Sequence, residues 1–313
     1  MSESINHLNL YRAALTSRLL EDKMVTLQRN GYLSTYAGCS GQEILYSAIG
    51  LTLGATDTYV PYYRDQPCLL LRGYRYIDFM RYWGGDERGN LPCNPDLPIC
   101  VPIATQCLHA TGVAFAQKQK GTQQLTVVTL GDGATSKGDF YEAMNFAGLH
   151  ALPIVFIVND NGWAISTPIN KQTRMDDFTL RANALGLKTL SVDGTDPDAI
   201  ISALTKAYHQ ARNANPVLIH AKTMRLCDHT TADDAKRYKP HPLIDEEKQA
   251  DPLVKLYQTL CAQTLWSKQQ DQTFRSMVQA DIQVAIDHFL NEPGRSVETM
   301  HAFTYKDSEA KTS

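Results

Sequence analysis

The chain has 313 residues with 30 Lys and Arg against 33 Asp and Glu, a formal net charge of −3, and is 43% hydrophobic and 20% charged. A nucleic-acid binder would carry a basic excess and a disordered chain far fewer apolar residues, so the composition is that of an ordinary globular protein. The longest apolar run, 151–158, falls far short of the roughly 18 residues a membrane span requires. Met1-Ser2-Glu3-Ser4-Ile5-Asn6-His7 lacks the basic and apolar regions of a secretory signal, so a cytoplasmic chain without membrane or nucleic-acid partners is expected. Seven cysteines, an odd number without a CxxC pair, read as reduced thiols.

Apolar residues at helical spacing predict a first helix over 7–30, a second over 42–53 after Ser40-Gly41, and a third over 76–83. Between 84 and 102 the pattern dissolves into Gly, Pro, Asn and Asp, the mark of a long irregular segment. Regular alternation then begins: helix 104–120, strand 125–130, helix 136–149, strand 154–158, helix 175–185, strand 189–192, helix 197–212 and strand 217–221. Strand, helix and strand in that order imply right-handed crossovers, and hence an α/β fold with a mainly parallel sheet flanked by helices. A polar loop over 226–242 precedes helices at 252–265 and 271–290, and the polar stretch 305–313 is expected to fray. The whole chain, 1–313, is expected to form a single domain, with a core over about 30–225 and helical N- and C-terminal extensions, the latter over 250–291.

Gly131-Asp132-Gly133 stands where a buried strand gives way to a helix, the place where α/β sheets bind ligands. Glycine there lets the backbone approach a phosphate, but the third glycine of GxGxxG and the Lys-Ser or Lys-Thr of a P-loop are both missing. What distinguishes the segment is Asp132, suited to a hard divalent cation such as magnesium, which prefers one or two protein oxygens together with substrate phosphates. Asn159-Asp160-Asn161-Gly162-Trp163 ends the next strand, and Asn161 follows Asp132 by 29 residues, the length of one crossover. The Asn161 side-chain oxygen and the Trp163 carbonyl would complete the metal's protein ligands. Singly, each segment reads as a polar turn; at the ends of neighbouring strands they favour a diphosphate–magnesium site.

The stretch from Gly131-Asp132-Gly133-Ala134-Thr135-Ser136-Lys137-Gly138-Asp139-Phe140 to Asn161-Gly162-Trp163-Ala164-Ile165-Ser166-Thr167 resembles the thiamine diphosphate motif. More narrowly, the chain is similar over about 11–291 to the alpha subunit of the decarboxylating component of 2-oxo acid dehydrogenase complexes. The resemblance implies a thiamine diphosphate-binding fold, with thiamine diphosphate and Mg2+ as cofactors. It also implies metal ligands at Asp132, Asn161 and the Trp163 carbonyl, and diphosphate-contacting backbone at Gly133 and Ala134. Tyr63-Arg64 matches the pair that grips the diphosphate, a task suited to a planar guanidinium. Val101-Pro102-Ile103-Ala104-Thr105-Gln106 matches the segment whose main chain, at Val101, binds the aminopyrimidine and whose Ile103 side chain holds the cofactor bent. His229, in His229-Thr230-Thr231-Ala232-Asp233-Asp234, matches the cofactor-contacting histidine that assists acyl transfer to lipoamide, work suited to imidazole; His109 and His150 have no such context and read as packing residues.

Some positions depart from the family pattern. Asp160 replaces the first Asn of NN, Asn159 a residue that is commonly acidic, Arg or Gln, and Val101 a serine of some relatives, so no potassium site is implied. Thr230 stands where some relatives carry a kinase-regulated serine, so phosphorylation is not implied either. The resemblance further implies a separate beta chain, in a complex of two alpha and two beta chains, a lipoyl acyltransferase component, and a small 2-oxo acid substrate. Tyr63-Arg64-Asp65-Gln66-Pro67 and Gly138-Asp139-Phe140-Tyr141-Glu142-Ala143 look closest to bacterial pyruvate dehydrogenase alpha chains, whereas the histidine loop also occurs in branched-chain relatives. Pyruvate is thus favoured over a branched-chain acid or acetoin. The non-enzymatic alternative is a structural paralogue, motivated by Asn159 and Asp160; a dinucleotide-binding dehydrogenase is disfavoured by the missing glycine.

Overall fold

The computed structural model describes residues 7–91, 93 and 95–293, so the expectations for the extreme N-terminus and for 305–313 lie outside the described residues. The first part of the chain runs α1 (His7–Arg29), α2 (Glu43–Thr52), β1 (Thr58–Val60), α3 (Gln66–Leu71), α4 (Tyr76–Trp83) and α5 (Thr105–Gln119). It continues through β2 (Thr126–Gly131), α6 (Gly138–Leu149), β3 (Ile154–Asp160), the hairpin β4 (Trp163–Ala164) and β5 (Thr167–Pro168), α7 (Ile169–Gln172) and α8 (Phe178–Ala184). β6 (Lys188–Asp193), α9 (Pro197–Arg212), β7 (Val217–Lys222), α10 (His241–Gln249), α11 (Pro252–Ala262) and α12 (Lys268–Asn291) complete it.

Five strands form a sheet in the order β1-β2-β3-β7-β6, every pair parallel. Because helices cover both faces, the central strands are apolar runs whose residues alternate between two cores. Val127, Val155, Ile157 and Ile219 join the core built with α1, α2, α9, α11 and α12. Val128, Leu130, Phe156 and Leu218 join the one built with α5, α6 and α8. The terminal helices are tied together where the Tyr11 hydroxyl donates to Asp271 Oδ1 at 2.6 Å and Trp266 Nε1 donates to the same oxygen at 3.1 Å.

The irregular stretch between α4 and α5 is held by polar clamps as well as by the packing of Leu97 and Ile99. Arg72 makes a bidentate pair with Asp96 (2.7 and 2.6 Å), and Asp96 Oδ1 also accepts from the Tyr59 amide at 2.9 Å, fixing the segment to β1. The Asn90 side chain bridges both backbone groups of Ile99.

The structure differs from the sequence expectation in several places, β1 and α3 among them, which the expectation does not include. The helix expected over 136–149 is α6, starting at Gly138, and is preceded by a 3-10 turn over Asp132–Ser136 that the expectation lacks. α10 begins inside the expected loop; it buries none of its residues and so carries no apolar period to read. The two-residue strands β4 and β5 are too short to leave a period at all. The seven cysteines are free.

Gly148, in α6, shows how closely that helix packs: an added Cβ would lie 2.1 Å from the Leu185 carbonyl oxygen. Gly148→Ala should cost on the order of 1–3 kcal/mol and lower the melting temperature by several degrees in scanning calorimetry; an unchanged transition would mean that the segment after α8 yields freely.

Candidate active site

β2 and β3 end side by side, with Gly131 in register with Asn159, so the segments that follow open at the same carboxyl edge of the sheet. After β2 the chain makes the 3-10 turn of Asp132–Ser136, whose Gly133 must lack a side chain because a Cβ would lie 2.7 Å from the Ala164 Cβ of β4. After β3 it turns sharply through Gly162 at φ +80°, with the Gly162 amide donating to Asp160 Oδ1 at 2.9 Å and the Trp163 amide to Asn161 Oδ1 at 3.2 Å. Asn161 Nδ2 donates to Gln42 Oε1 at 3.3 Å, which leaves the second lone pair of Asn161 Oδ1 available.

These two turns, the segment after β1, the entrance to α5 and the loop after β7 enclose one cavity of about 240 Å3. Tyr63, Arg64, Val101, Ile103, Asp132, Gly133, Ala134, Asn161, Trp163 and His229 all line it. Two of its other lining residues, Ala104 at φ 65° and Ile165 at φ 56°, hold left-handed backbone that residues with a Cβ adopt only when their surroundings impose it. At the mouth, Val101, Ile103 and Ile165 are exposed although apolar.

Asp132 is buried, and burial pushes its carboxyl up to about 6 against the hydrogen bond it accepts from Gln172 Nε2 at 2.7 Å. Among the described residues no group of three His, Cys, Asp or Glu gathers to hold a metal. A lone desolvated carboxylate beside an amide oxygen does not make a zinc or calcium cage. It suits magnesium, which takes one or two protein oxygens and completes its shell with water and phosphate.

Across the cavity the chemistry is reversed. Arg64 is buried, and its guanidinium donates to the Gly38 carbonyl, to the His229 carbonyl at 2.8 Å and to His229 Nδ1 at 3.0 Å. It also lies 5.2 Å from the centre of the Tyr63 ring. Arg225, likewise buried, donates to the Ile165 carbonyl at 3.0 Å and the Tyr238 hydroxyl at 2.7 Å, with Nη1 3.4 Å from His229 Nδ1. Neither arginine forms an ion pair with a carboxylate among the described residues. With two guanidiniums facing Nδ1, that nitrogen is the acceptor and Nε2 carries the proton. Burial first, then Arg64 and Arg225, push the His229 imidazole down to about 4, so it is neutral at neutral pH. Its loop is fixed by the His229 amide donating to Asp233 Oδ2 at 2.9 Å and the Thr231 amide to the Tyr36 carbonyl at 2.8 Å.

The turn carrying Tyr63 and Arg64 depends on Asp65. Its Oδ2 accepts from the Tyr59 hydroxyl at 2.8 Å, from the Tyr62 amide at 2.9 Å and from the Thr129 hydroxyl, while Oδ1 has no partner. The departures at 159 and 160 turn inward and do not line the cavity. Asn159 Nδ2 donates to Gln42 Oε1 at 2.6 Å and to the hydroxyls of Tyr46 and Tyr62. Sequence reasoning missed Arg225, Gln172 and Gln42. An arginine in a polar loop and glutamines in or beside amphipathic helices look solvated in one dimension, and no local signal distinguishes them. His150 packs against Phe146 and Phe115, and His109 is exposed, so neither belongs to the site.

Residues 11–298 match the family described as the dehydrogenase E1 component. The chain is 38% identical over 262 residues to the alpha subunit of 3-methyl-2-oxobutanoate dehydrogenase from Mycobacterium tuberculosis, covering 83% of this chain and 71% of the relative. It is 34% identical over 301 residues to the pyruvate dehydrogenase E1 alpha subunit of Bacillus subtilis (95% and 81%). To the corresponding subunit of Mycoplasma genitalium it is 32% identical over 294 residues (93% and 82%).

Burial raises Asp65 from 3.8 to about 7, so its neutral form is the one folding favours; that contribution is complete below the ordinary carboxylate range and is lost as pH rises through about 7. Asp65→Asn keeps the neutral shape. Its melting temperature should therefore gain on the wild type as pH rises toward 7 and hold that lead above it; parallel curves would show that Asp65 does not titrate in this window. Arg225→Met removes one of the charges opposing protonation of His229, so the ring resonance of His229 in a histidine NMR titration should move to a higher midpoint than about 4; an unchanged midpoint would leave burial and Arg64 as the whole cause.

Proposed function

The chain belongs to the dehydrogenase E1 component family, and from that membership we propose that it binds thiamine diphosphate with Mg2+ and serves as the alpha chain of a 2-oxo acid dehydrogenase. The observation that carries the reading is the charge lining one cavity, where the buried carboxylate of Asp132 and the buried guanidinium of Arg64 each lack an ion-pair partner, with Arg225 standing behind His229 and Ile165. A magnesium diphosphate presents the matching charges: cation toward Asp132, oxyanions toward Arg64.

When bound, thiamine diphosphate supplies the carbon nucleophile that adds to the keto carbon and holds the electron pair left behind by carbon dioxide. The chain's residues supply position and charge. Asp132, Asn161 Oδ1 and the Trp163 carbonyl would hold the metal, and Gly133 and Ala134 would offer backbone to the diphosphate. Arg64, stacked on Tyr63, would neutralise it. The Val101 main chain and the Ile103 side chain, both at the mouth, would meet the aminopyrimidine and keep the cofactor bent. His229 is held as the Nε2–H tautomer by the arginines behind it, and so presents a proton outward for transfer of the acyl group to lipoamide.

The alpha-subunit relatives support a beta partner. The exposed apolar rim of Val101, Ile103 and Ile165 supports a second chain closing over the cavity. On this reading two alpha and two beta chains form the unit, and a lipoyl acyltransferase receives the acyl group. Pyruvate is the substrate favoured by the sequence segments, and relatives named for pyruvate support it. A branched-chain acid is the second reading, favoured by the relative named for 3-methyl-2-oxobutanoate; one methylene more or less is worth only about 1–3 kcal/mol in a pocket.

The test is calorimetric titration of thiamine diphosphate with Mg2+ into the chain co-expressed with its beta partner, beside Asp132→Ala, and a decarboxylation assay with pyruvate, 3-methyl-2-oxobutanoate and acetoin. Metal-dependent binding lost in Asp132→Ala, with turnover of one of these, is expected. No binding by a folded complex would overturn the reading in favour of a structural paralogue.

A further inference from the structure

β7 is a central strand of Val217, Leu218, Ile219 and Ala221, interrupted by one polar residue, His220. The imidazole is 1% exposed, packs against the Phe178 ring at 4.9 Å and stands in register with Val158 of β3. A polar ring in such a place is retained only when its hydrogen bond matters. Among the described residues His220 makes one: Nε2 lies 2.8 Å from Asp160 Oδ2. Nδ1 has no hydrogen-bond partner and lies 3.8 Å from Asp177 Oδ1. The other oxygen of Asp160 accepts the Gly162 amide at 2.9 Å, and the Asp160 carbonyl accepts the Thr223 amide at 2.8 Å. Asp160 thus grips the turn at both Gly162 and Thr223, beside the hold of Gln42 on Asn161, and the far side of its carboxylate is held by His220.

We propose that His220 is a positioning residue for the metal–diphosphate end of the site, clamping Asp160 so that the turn through Gly162 presents Asn161 Oδ1 and the Trp163 carbonyl in one fixed arrangement. The inference rests on the thiamine diphosphate reading above. Without the clamp, Asp160 loses the donor on Oδ2 and can rotate. The Gly162 amide is then released, and the ordering of Asn161 and Trp163 falls to the moment of binding. His220 touches neither the cavity nor any reacting atom. It acts through Asp160, as the partners behind metal ligands do, whose loss typically weakens metal affinity 10–100-fold.

The experiment is a Mg2+ titration of thiamine diphosphate binding by the complex with the beta partner, together with hydrogen exchange of the segment around Gly162 in the ligand-free complex. His220→Leu should raise the half-saturating Mg2+ concentration about tenfold and speed exchange at Gly162. His220→Gln, which restores an amide donor, should recover most of both. Phe178→Leu, which alters packing on the ring without touching Asp160, should change neither. Asp160→Ala alone and combined with His220→Leu should match the single loss, because the two residues act as a unit. If His220→Leu fails to assemble, the double variant, which leaves no buried carboxylate unpaired, carries the comparison. An unchanged Mg2+ midpoint in these variants, or an equal loss from Phe178→Leu, overturns the proposal. Failure of the wild-type complex to bind thiamine diphosphate overturns the parent reading, and this one with it.

Discussion

Two buried guanidiniums without a carboxylate partner govern this site. Arg64 and Arg225 come from segments far apart in the chain, yet both converge on Nδ1 of His229 and otherwise donate to carbonyl and hydroxyl oxygens, with Arg225 Nε left without a partner. Buried charge of one sign is costly unless an opposite charge arrives. The cavity that Arg64 lines also contains a buried carboxylate, Asp132, so the arrangement is complementary to a cation and an anion bound together. The His229 tautomer follows from the same pair of arginines, which add to burial in depressing the basicity of the ring, while Asp233 and the Tyr36 carbonyl fix its loop.

The scaffold carries these groups without distortion of the sheet. Parallel strands deliver successive chain segments to the same edge, so Gly131 and Asn159 emerge in register, and the residues after them need only short turns to face each other. At the cavity the backbone is irregular, with Ala104, Ile165 and Gly162 at positive φ and glycine required at 133. Strain of this kind persists where surrounding contacts over-determine it. Here those contacts include the Asp160 carboxylate on the Gly162 amide and Arg225 on the Ile165 carbonyl, beside the buried network of Asn159, Gln42, Tyr46 and Tyr62.

That network also accounts for the two departures from the family pattern. Asn159 is a buried hub bound on several sides, and Asp160 is paired with His220. Both point into the protein rather than into the cavity, so the substitutions alter the floor of the site and leave its lining intact.

The sequence by itself determined the parallel α/β class, the central strands and the two turns at their ends, because strand and helix periods and the Gly-Asp-Gly and Asn-Gly signals are local. Asp132 and Asn161 could be singled out for the same reason: each sits at a readable strand end, one crossover from the other. The tertiary structure alone decided which distant residues complete the site. Arg225, Gln172, Gln42 and His220 carry no periodic or motif signal, and an arginine in a polar loop or a histidine in a strand looks alike whether solvated or buried. Their roles arise from burial and from neighbours brought close by the crossovers, and these are properties of the folded chain in three dimensions rather than of any window along it.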